Sequence, residues 1–91
     1  MMYPEVEYVI ANYLSADVEY TEDEVVKYIR ENLSDNPETA TRYRLELCAA
    51  LSDPNYSWKD AFSRFNAMPA DTEEEARSYA RRMLWERVLE P

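Results

Sequence analysis

The chain has 91 residues, no histidine, no glycine, one cysteine and a formal net charge of -9 at pH 7. That length holds one domain, expected over residues 1–91, with an adequate core. The missing histidine removes the commonest general base and metal ligand, and the missing glycine removes the phosphate-cradling loops and the usual hairpin turns. The expectation is an all-α fold, a single compact bundle of about five helices with short connections. Hydrophobic residues make up 46% of the chain, too many for a disordered acidic tail. The single Cys48 fits a reducing compartment, the opening residues do not read as a cleavable leader, and no apolar run of about 18 residues occurs in the sequence. The expected setting is therefore cytoplasmic, away from the membrane.

The first helix is expected to open at Pro4, a residue suited to the first helical position, with Glu5 and Glu7 complementing the helix dipole. Val6, Val9, Ile10, Tyr13 and Leu14 follow helical spacing and form one apolar stripe, with Tyr8 on the opposite side. Ser15 to Tyr20 is a short acidic connection. Thr21 and Glu24 then read as a capping box opening a second helix to about Leu33, with Val25, Val26, Ile29 and Leu33 inward and Tyr28 on the flank.

Asn36-Pro37-Glu38 reads as the start of a third helix running to about Leu51, with Asn36 as its cap. Ala40, Tyr43, Leu47, Ala50 and Leu51 form its inner side. Leu45 and Cys48 are expected to broaden that apolar face, and Arg44 to snorkel at the core edge or find a carboxylate. Ser57 opens a short fourth helix that ends near Asn66 and buries Trp58, Ala61, Phe62 and Phe65. Thr72 and Glu75 read as a further capping box, opening a last helix to about Leu89. Its stripe is Ala76, Tyr79, Ala80, Met83 and Leu84, with Arg77, Arg81, Arg82 and Arg87 crowding the later turns. Trp85 faces away from that stripe and is expected to pack beneath another segment.

Charge is uneven along the chain. Residues 1–40 hold ten acids and two bases, whereas residues 41–91 hold nine acids and eight bases. Such an acidic half repels nucleic acid and acidic membranes and steers basic proteins towards itself. No catalytic residue, metal site or cofactor is expected. Cys48 has no histidine to activate it, the carboxylates lack calcium-loop spacing, and so small a bundle offers little room for a substrate cleft. What remains is a protein-binding module, in which carboxylates replace phosphate charges on a partner's Lys and Arg while tyrosines supply stacking area.

The stretch Asp17–Glu24 is the densest acidic segment. Glu22, Asp23 and Glu24 serve as first-turn acids of the second helix; Asp17, Glu19 and Tyr20 have no such explanation. The expected partner-binding residues are Tyr8, Asp17, Glu19, Tyr20, Asp23, Glu24, Tyr28, Glu31 and Asp35.

The layout of Pro4–Leu14, the acidic link, Asp23–Ile29, the Asn36-Pro37-Glu38 start and the late Trp58 and Trp85 resembles one family over most of the chain. It is similar to the small acidic immunity proteins of bacterial contact-dependent growth inhibition and related toxin–immunity systems. That resemblance implies a helical cytoplasmic protein that binds a cognate toxin domain, commonly a tRNA- or DNA-cleaving nuclease, and neutralises it. Two other readings compete: a phage-type nucleic-acid mimic, such as an anti-CRISPR protein, using the same acidic surface, and a helical adaptor using instead an apolar groove around Trp85, Val88 and Leu89.

Overall fold

The computed structural model describes residues 2–90. It is all-α, with five helices and no strand among those residues. Helix α1, Pro4–Val9, continues through a π-helical turn, Ile10–Leu14; a 3-10 turn at Ala16–Val18 leads to α2, Glu22–Asp35. Then come α3, Pro37–Ser52, α4, Trp58–Arg64, and α5, Glu73–Ala80, which runs on through π-helical Arg81–Glu86 into a last α turn, Arg87–Leu89. No described helix is long and apolar enough to cross a membrane.

Local sequence sets most helix starts. Thr21 Oγ1 accepts from Glu24 N at 3.2 Å while Glu24 Oε1 accepts from Thr21 N at 2.9 Å, a complete capping box on α2. Ser57 and Thr72 form only the first half of the boxes their sequences suggest, accepting from Asp60 N and Glu75 N. At α4 the other contribution comes from elsewhere: Glu73 Oε1 accepts from Lys59 N at 2.6 Å and from the Ser57 hydroxyl at 3.1 Å. At α1, which has no side-chain cap of its own, Glu46 Oε1 from α3 accepts from Glu5 N at 2.8 Å and Val6 N at 3.4 Å. Asn36 stands at the N-cap of α3 as expected, and its carbonyl accepts from Ala40 N at 2.9 Å. Its side-chain amide does not cap that helix, however; it donates back to the Asn32 carbonyl at 2.9 Å and closes α2.

The stripes meet in one core that includes Val6, Ile10, Ile29, Tyr43, Leu47, Trp58, Phe62, Met83 and Leu84. Burying such side chains stabilises the fold by about 1.5–3 kcal/mol each before conformational entropy is counted. Edge-on aromatic contacts run from Tyr3 to Tyr56 (5.0 Å between centroids) and from Tyr56 to Trp58 (5.1 Å). A tilted contact from Trp58 to Phe62 and an edge-on one from Phe62 to Tyr79 continue the row. The buried Tyr43 hydroxyl donates to the Leu84 carbonyl at 2.7 Å, and burial drives its phenol pKa far up.

The structure revises three packing expectations. Leu45 is 66% exposed and Cys48 is also exposed, because the neighbouring helices cover only the Tyr43–Leu47–Ala50 side of α3. Phe65 is only half-buried, since α4 ends at Arg64 and the chain turns away. Glu7, expected only as a first-turn acid complementing the helix dipole, is 4% exposed. It lies just round the helix from Ile10, and that flank is covered: the Tyr56 hydroxyl donates to Oε2 at 3.1 Å, and Arg64 Nη1 stands 3.7 Å from Oε1. Trp85 is half-buried against the core with the Arg44 guanidinium 5.6 Å from its ring centroid. Arg44 therefore finds an aromatic face in place of a carboxylate.

Candidate functional site

The acidic link is fixed at both ends. Ser15 Oγ accepts from Asp17 N at 3.2 Å, and the Ala16 amide donates to the Asn66 carbonyl at 2.7 Å, tying the link to the end of α4. Asn66 Nδ2 also donates to Asp17 Oδ1 at 3.3 Å. Two residues reverse the backbone in left-handed conformation, Glu19 at φ 54° and Asn66 at φ 53°. Asparagine tolerates that region, whereas a glutamate there costs on the order of 1 kcal/mol. The reversal at Glu19 delivers Tyr20 onto the start of α2, where its ring meets Tyr28 edge-on at 4.9 Å.

Along α2, Glu24, Tyr28, Glu31 and Asp35 recur at i, i+4, i+7 and i+11, which places them in one outward stripe opposite the buried Val25, Val26, Ile29 and Leu33. A helix of 14 residues is about 20 Å long, so the stripe runs nearly the length of a small interface. Lys27 lies 5.9 Å from the Tyr28 ring centroid and is the cation beside it.

The nine residues expected from sequence divide into groups with different surroundings. Glu19, Tyr20, Glu31 and Asp35 are exposed, and these three carboxylates have no ion-pair partner among the described residues. Glu24 and Tyr28 are half-exposed in the same stripe, with one Glu24 oxygen engaged in the cap. Asp17 is exposed but turned to Asn66. Asp23 departs from the group: its Oδ1 accepts from Arg87 Nη2 at 2.6 Å, while Glu22 meets Arg82 at 3.3 Å and Arg87 at 3.8 Å. Both acids bind α2 to the end of α5, because that helix delivers its late arginines to the positive end of α2. Tyr8 is 55% exposed on α1.

The sequence places Tyr13 in the core stripe, whereas it is only partly buried against the core. Tyr13 is half-buried, and its phenol pKa is raised by burial and by the nearby Tyr8 and Tyr20, partly offset by a hydrogen bond with Asn32. The position of Tyr13 at the end of an apolar stripe was the available signal, since a tyrosine there can bury its ring and keep its hydroxyl near water.

Among the described residues no group of three or more Cys, Asp or Glu side chains is placed to hold a metal ion. The arrangement is a rigid helix face carrying carboxylates and tyrosines, suited to charge-assisted hydrogen bonds with basic side chains. Comparison with protein families, curated proteins and solved structures found no match for this chain.

Proposed function

We propose that this protein is an immunity protein that binds and neutralises a cognate, basic nuclease toxin domain in the cytoplasm through the α2 face and the link before it. The observation that carries the reading is the contrast within one acidic region. Glu19, Glu31 and Asp35 stand exposed without an ion-pair partner among the described residues, beside the Tyr20–Tyr28 pair, while the adjacent Glu22 and Asp23 are held by arginines. Unpaired carboxylates on a regular helix present an arrayed negative surface to a cleft built for phosphates, and tyrosines beside them offer area for stacking and hydrogen bonding. Steering by that field gives fast association that declines with salt.

The test begins with the gene immediately upstream. The C-terminal domain of its product is expressed, and nuclease activity is measured with and without this protein. The expected result is stoichiometric inhibition with an association rate that falls steeply as salt is added. Lysine at Glu19, Glu31 and Asp35 together should weaken binding by about tenfold or more with little change in melting temperature. An upstream product with no nuclease domain, or an affinity that survives the three reversals, defeats the proposal.

A further inference from the structure

A second surface of opposite character lies where the later part of α2, the first half of α3 and the end of α5 come together. These segments leave an open groove of about 390 Å³ whose apolar lining includes Leu33, Leu45, Val88 and Leu89, with Arg30 and Arg44 beside them. Among the described residues no acid lines it, while Glu86 and Glu90 border a neighbouring recess that Arg30 shares, in a chain with 19 acids and 10 bases.

Of the eight arginines, Arg42, Arg64, Arg82 and Arg87 each meet a carboxylate, whereas Arg30 and Arg44, like Arg77 and Arg81, meet none among the described residues. Of these four, Arg30 and Arg44 are the two that border the groove. Arg44 is steadied by the Trp85 ring, 5.6 Å from its guanidinium carbon, and a guanidinium carries five N–H donors with which it can meet a carboxylate. Leu45, 66% exposed, puts an aliphatic side chain next to those donors. Arg30 lies about a quarter turn or more round α2 from the Glu24–Asp35 stripe, so the two surfaces are separate faces of the molecule.

We infer that this groove docks a segment of a second protein that combines aliphatic side chains with carboxylates, an acidic amphipathic peptide. The aliphatic groups cover Leu45 and the Val88–Leu89 wall, and the carboxylates take the paired N–H groups of Arg30 and Arg44. Charge complementarity selects this occupant: a basic segment would set its cations against two arginines, and a purely apolar one would leave both guanidinium groups covered and unpaired. The chemistry is opposite to that of the α2 stripe, so one protein could hold a basic domain on one face and an acidic segment on another.

The test is panning of a phage-displayed library of short random peptides on the intact protein. Enriched peptides are expected to carry Asp or Glu next to Leu, Ile or Val, and to bind less tightly as salt rises. Arg30→Ala and Arg44→Ala, each checked for an unchanged helical circular dichroism spectrum, should each weaken the selected peptides by about tenfold, and Leu45→Asp should abolish binding. Enrichment of nothing above background, enrichment of basic or purely apolar peptides, or affinity indifferent to both arginine substitutions overturns the inference. So does concentration-dependent dimerisation of the protein that Leu45→Asp removes, because the groove would then belong to a second copy.

Discussion

Two sets of acids on α2 differ in their surroundings more than in their chemistry. Glu22 and Asp23 have side chains 49% and 88% exposed, yet both are in contact with arginines of the α5 extension. Glu31 and Asp35, exposed on the same helix, meet no cation among the described residues. Exposure therefore does not measure availability; the neighbouring charge does. Glu7 is the far end of this series, a carboxylate enclosed by Tyr56 and Arg64.

If the series holds, substitutions around these four acids should cost stability in the order Glu7, Glu24, Asp23, Glu31. Tyr56→Phe leaves the buried Glu7 carboxylate without its hydroxyl donor and should cost about 1–3 kcal/mol in urea unfolding. The same hydroxyl gives a pH signature. Burial first, and the Glu7 carboxylate next, hold the Tyr56 phenol pKa far above its usual value, as burial does for Tyr43. Stability should stay intact below the ordinary tyrosine pKa of about 10 and fall as pH rises beyond it. An alkaline melt that stays level there contradicts the enclosed site. Thr21→Ala, which removes the α2 cap, should cost about 1 kcal/mol. Asp23→Asn should cost less than about 1 kcal/mol, and added salt should shrink the difference from the unsubstituted protein. Glu31→Gln should change stability by no more than about 0.5 kcal/mol while weakening the proposed toxin complex. A Glu31 loss as large as that of Tyr56→Phe would erase the distinction between the two sets.

Much of this architecture is legible before any coordinate is known. The valines and isoleucines of α1 and α2 mark the inner faces by spacing alone, and Thr21, Ser57 and Thr72 mark helix starts because the cap is a local interaction. The surroundings of Glu7 are not legible, since its donor Tyr56 lies 49 positions away. Leu45 and Cys48 share a helix with Tyr43 and Leu47, and only the placement of neighbouring helices decides which side of α3 is covered. For the candidate surface, periodicity finds the outward stripe, but the loss of Asp23 to Arg87 depends on a contact 64 positions along the chain. The π turns at Ile10–Leu14 and Arg81–Glu86 leave no mark in residue type that separates them from α turns.

The borrowed caps bear on how the chain unfolds. The first amides of α1 are held by Glu46 of α3, and α4 begins on Glu73 at the head of α5. Each of these starts loses an acceptor once the helix that supplies it has moved away, so local openings that free α1 or α4 alone lose a partner contact at once. The Glu5, Val6 and Lys59 amides would then exchange with solvent deuterium chiefly when the whole domain opens, which makes loss of structure a concerted event instead of a fraying from the ends.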